Sequence, residues 1–238
     1  TDKNIEKILD AKIKGEPMAG LFLSNFYQNR ENNSGVTFKK DLDSVLEDTQ
    51  LNNTTIIPKV SLEDKDLRLG GSAIIKDYRL LGWLENKETR GYVWVNDNAK
   101  NTELITKLDN IDTTLLVESH KKKMNFKKLD NDILVANIDI DISGSIKNYA
   151  LGSKNLYNQN NLSKLENLYS KIVKSEINTT FRKLQSEYNV DIFNFLKTIE
   201  KQNYDLYLEI KDNWNYYYNN MQIVPNVNVN IRNIGSVY

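Results

Sequence analysis

Between residues 138 and 142 the chain reads Ile-Asp-Ile-Asp-Ile, a strict alternation of apolar and acidic side chains. Only an extended strand sends successive residues to opposite faces, so Ile138, Ile140 and Ile142 must share one side and Asp139 and Asp141 the other. A face of three isoleucines needs an apolar layer to cover it. Residues 162–184 offer one, because Leu162, Leu165, Leu168, Tyr169, Ile172, Ile177, Phe181 and Leu184 form a stripe at helical spacing. Helices packed on one face of a sheet bury both surfaces. The expected fold class is therefore α+β, with two mixed α/β regions. The later region is expected to hold a mostly antiparallel sheet with helices on one face.

The remaining segments fill in this outline. Strands are expected at 113–128 and 133–146, joined at 129–132, and at 221–237, where Val227, Val229 and Ile231 alternate with Asn. Ahead of them, Ile5, Ile8, Leu9 and Ile13, then Leu21, Phe22, Phe26 and Tyr27, have helical spacing. Thr37 is placed to cap a third helix with Leu42, Val45 and Leu46 on its buried edge. Pro58 makes 54–60 an edge or irregular strand. Gly70-Gly71 reads as a turn, 72–78 and 80–84 as a hairpin, and 85–95 as a short helix that ends at Asn96-Asp97-Asn98. Ser163 and Glu166 form a capping box for the long helix. Asn189 breaks that helix, Asp191 caps a shorter one, and 204–214 forms another. The boundary between the two regions is expected within 107–112.

Composition removes several function classes. The 238 residues hold 32 basic and 32 acidic side chains, so the bulk positive field of a nucleic-acid-binding domain is absent. With no Cys and one His, thiolate zinc sites, cysteine nucleophiles and paired-His metal sites cannot be built. No run approaches the ~20 apolar residues of a membrane-spanning helix. The chain opens on Thr1 rather than Met, which suggests a piece of a longer protein.

Few residues point to chemistry. Asp139 and Asp141 share a strand face and are weak candidate cation ligands, but calcium takes six or more oxygens, and a solvated strand face is the preferred reading. His120 stands beside Lys121, Lys122 and Lys123, with no Ser or Cys nucleophile in a recognisable motif nearby. Those lysines, with Lys127 and Lys128, suit either anionic headgroups or an ordinary wet strand. Tyr204, Tyr207, Trp214 and Tyr216, Tyr217 and Tyr218 suit either sugar or partner contact or packing between helix and sheet. No phosphate loop follows Gly70-Gly71.

One ordered set of short motifs is more specific. Gly71-Ser72-Ala73-Ile74-Ile75-Lys76 is followed by Leu80-Leu81-Gly82-Trp83-Leu84, then by Glu88-Thr89-Arg90-Gly91 and Trp94. This order resembles the central signature of the Ger(x)C family, the C subunits of spore germinant receptors: G-[TS]-A-[VI]-x-K, L-[VL]-G-x-L and E-T-x-G. Asp191-Ile192-Phe193 after the long helix, Trp214 before the last strand and Gly235 near its end keep the family's order. Two positions depart from it. Lys147-Asn148 stands where a Glu is usual, and Asn194 stands where a Gly often follows Asp-Ile-Phe.

The resemblance implies that residues 1–110 are the later part of the family's N-terminal region and 111–238 its C-terminal domain. It implies a non-enzymatic lipoprotein subunit on the outer face of the inner spore membrane, held there by an N-terminal lipid anchor. Its partners would be the receptor's membrane A and B subunits, with no cofactor and no nucleic acid. The family supplies no catalytic residues. Its motif positions, Gly71, Ala73, Lys76, Gly82, Trp83, Glu88, Thr89, Gly91, Asp191, Trp214 and Gly235, are structural or interface candidates.

Overall fold

The computed structural model describes residues 35–63, 66–148 and 158–234. Helix α1 (Leu42–Asn52) leads into β1 (Thr54–Glu63), β2 (Asp66–Lys76) and β3 (Arg79–Leu84), and α2 (Asn86–Asn96) follows. Then come β4 (Glu103–Leu108), β5 (Ile111–Lys128) and β6 (Leu134–Asn148). The long α3 (Gln159–Lys183) runs into a π-turn at Leu184–Tyr188. Helices α4 (Phe195–Gln202), α5 (Tyr204–Ile210) and α6 (Trp214–Asn220) precede β7 (Gln222–Ile234).

Two sheets result. Strands β1, β2 and β3 form an antiparallel sheet with β2 in the middle, so Pro58 does lie on an edge strand, next to a register shift. The second sheet has the order β4-β5-β6-β7; its first three strands are antiparallel and β7 runs parallel to β6. This α+β, mostly antiparallel arrangement is the one expected. The alternation at 138–142 is also realised: Ile138, Ile140 and Ile142 are buried, Asp141 is exposed and Asp139 half-buried. On β7, Val227, Val229 and Ile231 are buried and the intervening Asn228 and Asn230 exposed. Helix α3 covers the apolar side. Its Ser170 donates to the Val227 carbonyl at 2.8 Å, and Tyr169 donates to Thr113 Oγ1 at 3.1 Å.

One apolar cluster runs through both sheets, from Ile56, Ile74 and Leu84 past Trp94 to Leu115, Ile140, Ile177 and Phe181. The expected boundary at 110/111 falls in the turn of the β4–β5 hairpin, where Asp109 and Asn110 take positive φ.

Several local expectations are corrected. Gly70-Gly71 is no turn: both lie within β2, opposite the register shift after Pro58, and Gly71 has φ +78°. The α1 cap is Asp41, which accepts from Ser44 N–H at 2.8 Å, and not Thr37. Leu42 and Leu46 are exposed rather than buried, because α1 meets β1 with another face. Helix α3 starts before Ser163 with Asn158 as its cap, and Glu166 instead accepts from Ile231 N–H on β7 at 3.0 Å. The segment 204–214 splits into α5 and α6 around a 3-10 turn. The stripes at 5–13 and 21–27 lie outside the described residues.

Candidate functional site

Most of the signature residues meet along one seam. Glu88 accepts from Glu85 N–H at 2.7 Å to cap α2, and it also pairs with Lys183 on α3 at 2.9 Å. Thr89, fully buried, shares a 2.8 Å hydrogen bond with Ser72 of β2. Gly91 is where α2 touches α3. A Cβ there would stand 2.1 Å from Thr180 Oγ1 and 2.5 Å from the Glu176 carbonyl oxygen. Beside that contact, Glu176 accepts from both Arg90 and the Trp94 indole, and Thr180 Oγ1 donates to the Glu88 carbonyl at 2.8 Å.

The other motif positions extend the seam. Gly82 leaves room for the Tyr188 ring, whose hydroxyl donates to the Trp83 carbonyl at 3.3 Å. Lys59 lies over the Trp83 ring at 5.0 Å. Ala73 is buried, and Gly71 N–H donates to the Val36 carbonyl at 3.0 Å. Gly82 and Gly91 therefore serve close approach inside a strand and a helix, not turns. Arg90, Thr180, Glu176 and Tyr188 are the structural partners of these positions that a motif search passes over. Their signal is indirect: a mid-helix Gly and a buried carboxylate both need a neighbour.

Lys76, Asp191 and Trp214, far apart in the chain, converge elsewhere. They line a cleft of ≈ 370 Å³ between the β2–β3 turn and the segment after the π-turn. Its frame is made of residues in the left-handed region. Asp77 and Tyr78 (φ 49° and 61°) form the hairpin turn, while Asn53, Asn189 and Asn194 (φ 53°, 49° and 58°) end or start helices. Asn52 Nδ2 donates to Asn194 Oδ1 at 3.0 Å across one side. The N-cap of α4 is Asn194 and not Asp191 as expected; Asp191, three residues earlier, still accepts from Leu196 N–H in the first turn through Oδ2 at 3.1 Å. Burial raises the Asp191 carboxyl to about 6, against the lowering effect of nearby backbone N–H groups.

The other candidates are dispersed. On the wet sheet face Asp139 accepts from Asn226 at 3.0 Å and Asp141 from Asn228 at 3.3 Å, with Lys123 and Lys121 opposite them on β5. No group of three or more His, Cys, Asp or Glu side chains that could hold a metal occurs among the described residues. His120 is half-buried: its ring lies 5.7 Å from that of Trp94, and its Nδ1 accepts from Ala99 N–H at 3.5 Å. Burial lowers its pKa to about 4, with Lys122 adding to the effect. Strand β4 pairs only with residues 111–116 of β5. The lysines from Lys121 to Lys128 therefore lie on a stretch of β5 that pairs with β6 on one side and whose other edge no described strand covers, where Lys discourages edge-to-edge pairing. Of the aromatic group, Tyr218 is buried, Trp214 half-buried and Tyr204 and Tyr216 exposed. Gly235 lies outside the described residues. Among those residues no helix is long and apolar enough to cross a membrane.

A sequence model of the family described as "Spore germination B3/ GerAC like, C-terminal" matches residues 70–235, from the β2 glycines to the end of β7. The chain belongs to this family. Two curated spore germination proteins of Bacillus subtilis (strain 168) are similar to it. Spore germination protein YndF is 24% identical over 176 residues, covering 72% of this chain and 43% of that protein. Spore germination protein B3 is 23% identical over 184 residues, covering 76% and 49%. The chain thus spans a little under half the length of these relatives. The crystal structure of the GerBC protein superposes with a TM-score of 0.70 at 21% identity, over 85% of this chain and 66% of that one, a likeness of fold. The resemblance to the Ger(x)C signature therefore holds at the level of family and fold. The family match starts at residue 70, ahead of the expected boundary at 110/111.

Proposed function

We propose that the chain is part of the C subunit of a spore germinant receptor and works without catalysis, by assembling with the receptor's membrane A and B subunits. The observation that carries this reading is the seam. Ser72, Glu88, Thr89 and Gly91 are used in capping, packing and hydrogen bonding between α2, α3 and the first sheet. A signature devoted to holding a shape fits a protein whose product is a surface. In the full-length protein, a lipid anchor would hold this surface at the outer face of the inner spore membrane.

Complementation separates this reading from an enzymatic one. Spores lacking the gene should lose their response to nutrient germinants. A copy carrying H120Q, D139N and D141N together should restore it, since none of these side chains would have chemistry to perform. Failure of that copy at normal protein level, with the unaltered gene restoring the response, would count against the non-enzymatic reading.

A second reading, direct contact with a small ligand, is favoured by the cleft of Lys76, Asp191 and Trp214 and not by the Asp139/Asp141 pair, whose carboxylates are already engaged by asparagine amides.

A further inference from the structure

Two buried polar atoms at the cleft have no partner. Tyr218 is 1% exposed, and its hydroxyl makes no hydrogen bond among the described residues. Asp191 Oδ1, shielded from solvent, also has no hydrogen-bond partner among the described residues, while Oδ2 accepts from Leu196 N–H and the backbone N–H groups of 193–195 lie close to the carboxylate. Leaving such atoms unsatisfied is costly, most of all for a charge. Both residues line the same ≈ 370 Å³ cleft, within the size range of small-ligand sites. No basic side chain pairs with Asp191 among the described residues. Lys197 of the same cleft is already turned to Glu47, at 3.0 Å.

The unused groups define a ligand. Asp191 Oδ1 calls for a hydrogen-bond donor, and a carboxylate short of counter-charge calls for a cationic one; the Tyr218 hydroxyl can accept from the same group or donate to an oxygen beside it. The half-buried Trp214 ring beside them is a surface over which an ammonium group is stabilised. Lys76, at the end of β2 on another wall, offers a positive charge to an anionic group. Amides from Asn189, Asn194 and Asn215 can bind what lies between. We propose that this cleft binds a small zwitterion, with its ammonium group on Asp191 and Tyr218 and its anionic group on Lys76.

The proposal rests on the second reading above and is independent of assembly with membrane subunits, so binding is measured on the isolated chain. ω-Amino acids of increasing length (glycine, β-alanine, γ-aminobutyrate) are titrated at millimolar concentration against the ¹⁵N-labelled chain, with methylamine and acetate as the separated halves. At least one zwitterion should shift the Trp214 indole N–H and the Asn194 side-chain amide, more strongly than either half alone. D191N keeps an oxygen to accept from Leu196 N–H but loses the charge. Y218F keeps the ring and loses only the hydroxyl. Each should weaken binding by about tenfold, while D139N should leave it unchanged; thermal melts verify that the variants are folded. The proposal is overturned if no zwitterion shifts these signals, if acetate alone acts as strongly, or if folded D191N and Y218F both bind as before. None of those results bears on whether the A and B subunits are bound.

Discussion

Gly91 is the residue on which most depends. With a Cβ 2.1 Å from Thr180 Oγ1 and 2.5 Å from a backbone oxygen of α3, even alanine must push the two helices apart. Overpacking of this kind costs about 1–3 kcal/mol. G91A should lower the melting temperature by roughly 3–10 °C. Adding T180A should not restore it, because the Glu176 carbonyl still blocks the space; full recovery in the double variant would contradict the seam. His120 and Asp191 give the residue scale a pH signature of opposite signs. The folded-state pKa of His120 is depressed to about 4 from 6.5, so the unfolded chain binds the extra proton, and its contribution to stability is lost as pH falls through that interval. The Asp191 value is raised to about 6 from 3.8, so its contribution is present at low pH and lost as pH rises through 6. The difference in melting temperature between D191N and the unaltered chain should therefore shift in favour of D191N between pH 4 and pH 7. With H120Q the difference should shift the other way, in favour of the variant as pH drops below 6.5. Melts across that range check both slopes.

At the scale of elements, β6 gives the sharpest contrast. Ile140 is 1% exposed, and an aspartate there buries an unpaired charge. I140D should lose its cooperative melt. D139I gives up one hydrogen bond to Asn226 on the outer face and should melt within a few degrees of the parent. Equal melting temperatures for the two variants would mean the face assignment is wrong. That assignment was legible because a period of two has one structural solution. The long stripe of α3 was legible for the same kind of reason. Helix starts were less so: Ser163 and Asn158 are both good caps, and the contact of Glu166 with β7 decides between them only in three dimensions. Gly70-Gly71 misleads because a bulge in a long strand uses the same positive-φ residue as a turn. Of the cleft, the sequence marks Lys76 only through the family's motifs, Asp191 also as a helix cap, and Trp214 and Tyr218 also in the aromatic group. It does not indicate that they meet, since the walls come from α1, the β2–β3 turn, the segment after the π-turn and α6.

For the whole molecule, the seam and the continuous core tie the first sheet, α2 and α3 to the second sheet, so the signature residues fix the relation between the two halves of the chain. Among the described residues, the wet face of Asp139, Asp141, Asn228 and Asn230 and the lysine-lined edge of β5 are open to other molecules, besides the cleft of Lys76, Asp191 and Trp214. On the function proposed above, this chain is in contact with the receptor's membrane subunits in the dormant spore. Crosslinking in dormant spores, followed by identification of the adducts, tests this most directly. The receptor A and B subunits should be captured with this chain. Spores in which A and B crosslink to each other, while this chain yields adducts with neither, would contradict it.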